Sequence, residues 1–540
     1  MKIQVRINEQ GALRNQRHAF SNRFTLVTEL LQNARRAGAT CIEIQYDAAT
    51  QMLAVQDDGQ GLDDFQKLLS FHESGWDVAT CAEERPFGVG FSKCLYAATR
   101  CVVTSGQRFV DIDTTAALAM AMVEVEERAD GEAVHGTRVE LHGVALPDLA
   151  QRIEELCAGF AVPVCFNGAP LKRAMAETHL AMQHSAIGTV HLAGTGNGKY
   201  TYDTWVYLQG FCVMRPSWSS RDDVNVVHLD SRQFMARLPD RDRLIDEDVQ
   251  RKRIDDEVKA CWRRTLEIAK AQFPVDHFLA TYYPVMRGWG QLDLLNDLDQ
   301  LPAELCSLIS GYPVQQENAS GDFLSPMLRA PSREDIESGV VQLVALDDVG
   351  DDNGARWMLA RAMDWLVFDW LGVHANHWSL RHVRFLEDET ARVTPIGEHL
   401  RTALEGRWVC PTVILCEAVR VQVGADEVLI ADAGVSHDGN LYMPDGETTG
   451  MPVQQLSSFT DEHDQSQEAA RDADREALAD LLRLMRAVDP VQTLGSLLQV
   501  LRLGKYPLLH GKTFRLTVGV GNAPGHSVDL VDGGGPYARP

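Results

Sequence analysis

Apolar residues recur at helical spacing from Asn22 to Ala37: Leu26, Leu30 and Ala34 line up, Val27 and Leu31 flank them, and Gly38 closes the run. That pattern predicts a helix over 22–37. Two stretches of alternating apolar and polar residues follow, CIEIQYD at 41–47 and MLAVQDD at 52–58, joined by the turn-like AATQ, and they predict a hairpin. DDFQKLLSF (63–71) reads as a short helix, and HESGWDVATCAEERP (72–86) as a loop able to move. The strand patterns RCVVTSG (100–106), RFVDIDT (108–114), AMVEVEE (121–127) and GTRVELHG (136–143) then complete an antiparallel sheet.

Farther along, 147–173 reads as a helix, a strand and an Asn-Gly turn, with strands continuing to residue 214 and a long helix over 245–272. Between 276 and 335, Pro and Gly interrupt the periodicity, although MRGWGQLDLLNDLDQLPAELCSLISGYP keeps a helical rhythm. VVQLVALDD predicts a strand and RWMLARAMDWLVFDWLGV (356–373) an apolar helix, its Trp357, Trp365 and Trp370 serving a core or an interface. Strands joined by Gly/Asp turns fill 412–443. A polar linker at 457–476 leads into REALADLLRLMRAV, an amphipathic helix suited to a partner subunit, and DGGGPYARP reads as a frayed end. The expected architecture is α+β, in five segments: 1–146, 147–275, 276–335, 336–455 and 456–540.

Composition narrows the class. At 540 residues with 45% hydrophobic positions, the chain can build several large cores. No apolar run reaches bilayer-spanning length and MKIQVRINEQGALRN lacks the apolar heart of a signal peptide, so the expectation is a cytoplasmic protein without membrane association. Eleven cysteines, an odd number without CxxC spacing, suit a reducing compartment and argue against structural zinc. His374, His377 and His382 have a spacing open to a metal but no Cys or acid motif beside them. A net charge of −25 argues against nonspecific DNA binding by the whole surface, while leaving room for a local basic face. The basic concentrations, Arg35-Arg36 and the stretch 241–254, are local; the second alternates with acids and reads as a solvated helix face.

Candidate chemistry clusters near the N-terminus. Glu29 and Asn33 are i, i+4 neighbours on the first long helix, so a carboxylate that polarises water and an amide oxygen that binds hard Mg²⁺ share one face. The bland alternative is a solvated pair on an exposed face. Asp58-Gly59-Gln60-Gly61 ends the second strand, where glycines let the backbone approach a flat ligand and Asp58 can accept from an exocyclic amine; by itself it is an ordinary Asp-Gly turn. Phe87-Gly88-Val89-Gly90 precedes the apolar run CLYAA, placing glycines at a helix start, where free N–H groups and the helix dipole favour phosphate; alone, such glycines more often mark a bend.

In this order and spacing, the three motifs resemble the N-terminal ATPase domain of the GHKL superfamily, shared by gyrase B, Hsp90 chaperones, histidine kinases and MutL proteins, over residues 20–145. ELLQNARRAGATCIEIQYD is similar to the MutL segment and RPFGVGFSKCLYAATRCVVTS to the Hsp90 glycine motif. The resemblance implies a Bergerat-type α/β sandwich at 1–146 and a transducer-like α+β domain at 147–275, whereas the pattern of residues alone predicts a helical connector at 276–335, a mixed α/β domain at 336–455 and a linker with an amphipathic helix at 456–540. It implies ATP and Mg²⁺ as ligands. Glu29 would be the general base, Asn33 the Mg²⁺ and phosphate ligand, and Asp58 the adenine-binding carboxylate. Gly59 and Gly61 would shape the adenine pocket, Phe87, Gly88 and Gly90 would cradle phosphate, and Thr137 would reach the adenine-side waters. Segment 72–86 corresponds to the ATP lid. Arg36 departs from the family's Asp-Ala pair, and it is expected to pair with an acid or reach phosphate. A transducer cation normally meets the γ-phosphate; Arg241, Arg243 and Lys252 are candidates without a matching motif.

The expected activity is slow, Mg²⁺-dependent ATP hydrolysis driving lid closure and N-terminal homodimerisation. A chaperone-like or defence-associated action on a protein client is the leading role. A MutL-like clamp on DNA and a noncatalytic ATP-binding interaction module are the alternatives. No phosphoacceptor-histidine helix precedes the motif region, which counts against the histidine-kinase branch.

Overall fold

The computed structural model describes residues 3–531 apart from 5–7, 17–22, 72, 74, 85–87, 89, 129–132, 198, 217–222, 238–240, 315–322, 399, 448, 457–464 and 520–524. The chain forms two compact units, residues 1–298 and 299–540.

In the first unit, helices α1 (Glu9–Gln16) and α2 (Thr25–Arg36) precede the hairpin β1 (Ile42–Asp47) and β2 (Met52–Asp57). α3 (Val78–Glu84) and α4 (Ser92–Ala97) follow, then β3 (Arg100–Gly106), β4 (Arg108–Asp113), α5 (Thr114–Leu118), β5 (Val125–Glu127) and β6 (Val134–His142). α6 (Leu149–Leu156), β7 (Val164–Phe166) and β8 (Ala169–Pro170) complete this layer pair. The eight strands run in the order β5-β4-β3-β6-β2-β1-β7-β8. All neighbours are antiparallel except β1 and β7, which pair in parallel with Ile42 opposite Val164. The sequence boundary at 146 therefore falls inside one continuous sheet, because a parallel partner needs a crossover connection and α6 supplies it.

The α2 prediction holds to within a turn at its N-terminal end. Gly38 adopts φ +74° and lets Ala39 N–H reach Ala34 O at 3.1 Å, the bond that closes a helix through a left-handed residue. Leu26, Val27, Leu30, Leu31 and Ala34 turn inward onto Ile42, Ile44, Leu53, Val55, Val103 and Val139 of the sheet. Burying one such leucine contributes roughly 1.5–3 kcal/mol relative to leaving it in water. The sheet's outer face is more polar, so this is a two-layer sandwich with helices on one side.

The segment expected as a loop at 72–86 contains α3, and the strand expected at 121–127 is reduced to β5. A second sheet in the same unit runs β12-β11-β13-β10-β9, from β9 (Gln183–Ser185), β10 (Gly188–His191), β11 (Thr204–Leu208), β12 (Phe211–Met214) and β13 (Asn225–Leu229). α7 (Glu247–Gln272) matches the expected long helix, and α8 (Val275–Gly288) follows.

The second unit differs more from expectation. The helical rhythm predicted across 286–313 gives short 3-10 turns and then β14 (Cys306–Ile309). The apolar helix expected at 356–373 is a helix at Asp351–Ala362, ended where Asp364 turns left-handed at φ +52°. The chain continues as a strand, Leu366–Phe368, paired antiparallel to β14 and parallel to Leu343–Ala345. Periodicity cannot separate a buried strand from a buried helix, and strand pairing decided the case. Trp357 and Trp365 are buried, whereas Trp370 is 42% exposed. His377 is buried and its Nδ1 lies 2.8 Å from Ser379 Oγ. The amphipathic helix spans Gln465–Met485; the start of its linker and DGGGPYARP lie outside the described residues. Among the described residues no helix is long and apolar enough to cross a membrane.

Candidate active site

Strand geometry decides which aspartate enters the cleft. Along β2, Leu53 and Val55 face the helical layer, and the two-residue period carries Asp57 to that same side and Asp58 to the other. Asp57 is buried. Its Oδ1 accepts the Gly59 N–H at 2.9 Å. Burial pushes its carboxyl above the ordinary value, against the opposing pull of the Gly59 and Thr137 N–H groups.

Asp58 lies outside the cavity, and this corrects the sequence-based expectation. Its carboxylate accepts the N–H groups of Thr40 at 2.7 Å and Cys41 at 2.9 Å and the Thr40 hydroxyl. Those bonds hold its pKa down at about 2. Asp58 thus pins the turn between α2 and β1.

A cavity of about 200 Å³ opens between α2, the sheet and the start of α4. Asp57 and Thr137 line it together with the apolar Leu30, Ala34, Val55 and Val139. Glu29, Asn33, Gly88, Gly90, Ser92 and Arg241 also line the wall. Gly61 also lines it, and at φ +77° a Cβ there would press to 2.8 Å from Ser105 Oγ. Gly59 sits just beneath, holding Asp57. Phe87 lies outside the described residues.

Glu29 is 3% exposed and is balanced by cations: Arg241 Nε lies 3.3 Å and Lys93 Nζ 3.7 Å from its Oε1. Gly90 passes so close that a Cβ would come within 2.2 Å of Glu29 Oε2. Arg241 also donates to Gln32 Oε1 at 2.6 Å. Burial draws its pKa below the ordinary value while Glu29 opposes the shift. Arg36 pairs with Glu84 of α3 at 2.8 Å.

Asp57 and Lys93 escaped the sequence reading. The alternation of MLAVQDD carries the signal for Asp57, whereas nothing local marks Lys93, since its Glu29 contact spans 64 positions of chain. Arg243 and Lys252 do not line this cavity; Arg243 borders a larger one, of about 730 Å³, that is also lined by Gln32 and Glu84 and shares Arg241 with the first. Several charged groups of that second cavity are paired with one another, Arg215 with Glu155 and Arg251 with Glu247.

The donor set suits a nucleotide and its metal. A flat apolar slot with a buried acceptor fits a purine, side-chain-free glycines leave room for phosphate, and the Asn33 amide is a hard oxygen ligand.

No curated protein matches the chain. Residues 21–143 match the family model described as histidine kinase-, DNA gyrase B- and HSP90-like ATPase. By that match and by its helix-over-sheet sandwich, the N-terminal domain belongs to the GHKL superfamily, whose ATPase domains bind and hydrolyse ATP.

Proposed function

We propose that this chain binds ATP in the cavity between α2 and the sheet and hydrolyses it slowly. The observation that carries the reading is that Asp57, Glu29 and Asn33 line one cavity together with Gly88 and Gly90. Asp57 accepts the adenine amine, and Thr137 supports the same edge. Asn33 would hold Mg²⁺, and the ion would supply positive charge against that developing on the phosphoryl oxygens. Gly88 and Gly90 leave backbone N–H groups accessible to phosphate.

Glu29 orients a water in line with the γ-phosphate and takes its proton. Arg241 and Lys93 hold that carboxylate in place, and Arg241 supplies positive charge where the terminal phosphate arrives. Closure of the α3 region over the nucleotide favours N-terminal dimerisation, and release reverses it. The acidic net charge of −25 favours a protein client over a nucleic acid.

The test pairs nucleotide titration with phosphate release for wild type and Glu29→Gln. Gln keeps the shape between Lys93 and Arg241, so binding should persist while turnover falls on the order of 10²-fold or more. Wild-type turnover in Glu29→Gln would remove the base assignment. Sizing with and without ATP·Mg²⁺ checks dimerisation, and salt-dependent retention on DNA with a nonhydrolysable analogue would point to a clamp instead.

A further inference from the structure

Helix α3 is fastened at its C-terminal end by charge. Glu84 Oε2 accepts from Arg36 Nε at 2.8 Å and from an Arg35 terminal nitrogen at 2.7 Å, both on the last turn of α2. The Glu84 backbone carbonyl accepts from Gln209 Nε2 at 3.4 Å, in the turn between β11 and β12, and Glu83 pairs with Arg232 at 3.1 Å. The Arg36 side chain is 2% exposed, so its charge has little water to fall back on. It also donates to Gln32 Oε1 at 3.2 Å, the same oxygen that Arg241 takes at 2.6 Å. Arg241 in turn meets Glu29.

These contacts form one polar chain, Glu84–Arg36–Gln32–Arg241–Glu29, running from α3 to the buried carboxylate in the cavity wall. Burial pushes the Glu84 carboxyl up, but the two arginines outweigh it and hold it below its ordinary value. Bonds between ionised partners are short and strong, and removing one partner of a buried pair is far costlier than the pair is worth.

We propose that Arg36 and Glu84 are positioning residues: their ion pair seats α3 beside the nucleotide cavity and, through Gln32, fixes the Arg241 guanidinium against Glu29. The inference rests on the nucleotide reading given above. Unseating α3 then has two consequences, faster loss of nucleotide and poorer alignment of Glu29.

The experiment measures release of a fluorescent ADP analogue by stopped flow, phosphate-release kcat and KM, and amide hydrogen exchange across residues 78–84 in nucleotide-free protein. It compares wild type, Glu84→Gln, Glu84→Arg and the reversed pair Arg36→Glu/Glu84→Arg. Glu84→Gln and Glu84→Arg should release the analogue about tenfold faster or more, raise KM, lower kcat and exchange faster over 78–84. The reversed pair should recover part of the slow exchange and slow release but not kcat, because a carboxylate at position 36 cannot donate to Gln32 Oε1, and it carries the seating test if a single variant folds poorly. Wild-type release and exchange in Glu84→Gln, or release and exchange in the reversed pair no slower than in Glu84→Arg, overturns the proposal. If wild type binds no analogue, the nucleotide site falls instead, while the exchange comparison still reports on the seating of α3.

Discussion

Replacing Asp57 by Asn separates adenine reading from every other property of the cavity. The Gly59 N–H donates to Oδ1 at 2.9 Å, so an asparagine keeps its carbonyl oxygen there and turns its NH₂ toward the slot. The adenine amine then meets a donor where it needs an acceptor. Losing a hydrogen bond to a charged group removes about 1.5–3 kcal/mol, and a buried donor left unsatisfied adds about 1–3 kcal/mol. A total near 3 kcal/mol corresponds to roughly 10²-fold in Kd. Asp58→Asn is the matched control: its carboxylate faces Thr40 and Cys41 outside the cavity, so affinity should stay within about threefold of wild type. Calorimetric titration of both variants with ADP and ATP decides the matter. Equal affinity in wild type and Asp57→Asn, or a loss in Asp58→Asn as large as that in Asp57→Asn, would refute the assignment.

Gly90→Ala should cut phosphate release by about 10²-fold in a steady-state assay, because its Cβ would lie 2.2 Å from Glu29 Oε2 and must displace the carboxylate; an unaffected rate would argue that Glu29 is not aligned by that contact. Nucleotide affinity should fall as pH drops from neutral, and should do so earlier than for an ordinary aspartate, since burial raises the Asp57 pKa and the ionised form is the stronger acceptor for the adenine amine; a pH series of titrations reads this directly. For the nucleotide-free fold the sign is opposite. With its folded pKa above the unfolded one, Asp57 contributes stability that is fully present below the unfolded value of 3.8 and lost as pH rises through the folded value. Asp57→Asn should therefore melt at or above the wild-type temperature near neutral pH. Asp58, held at about 2, contributes stability present above 3.8 and lost as pH falls through 2, so acid unfolding should begin at higher pH in Asp58→Asn.

Much of the first layer pair was legible because its signals are local. The helix of Leu26, Leu30 and Ala34, its Gly38 cap and the 42–57 hairpin follow from periodicity and from one residue tolerant of positive φ. The expectation for Asp58 met its limit at the same level: the motif was found, but the strand's inward set, Leu53 and Val55, points to Asp57, and it is Asp57 that lines the cavity. In the second unit, the run 356–373 is strongly apolar and offers no period that excludes a helix, and only pairing with β14 and Leu343–Ala345 made part of it a strand.

The sequence by itself determined the helix and hairpin that open the domain, the acid and amide on one helical face, and the glycines before α4, because each depends on residues a few positions apart. Tertiary structure decided which aspartate faces the cleft and which cations meet Glu29. It also decided what Arg36 does. Arg241 lies 212 positions from Glu29 and Glu84 lies 48 from Arg36, and pairs at such separations are set by how sheets and helices stack, through burial that penalises any charge left without its counterpart.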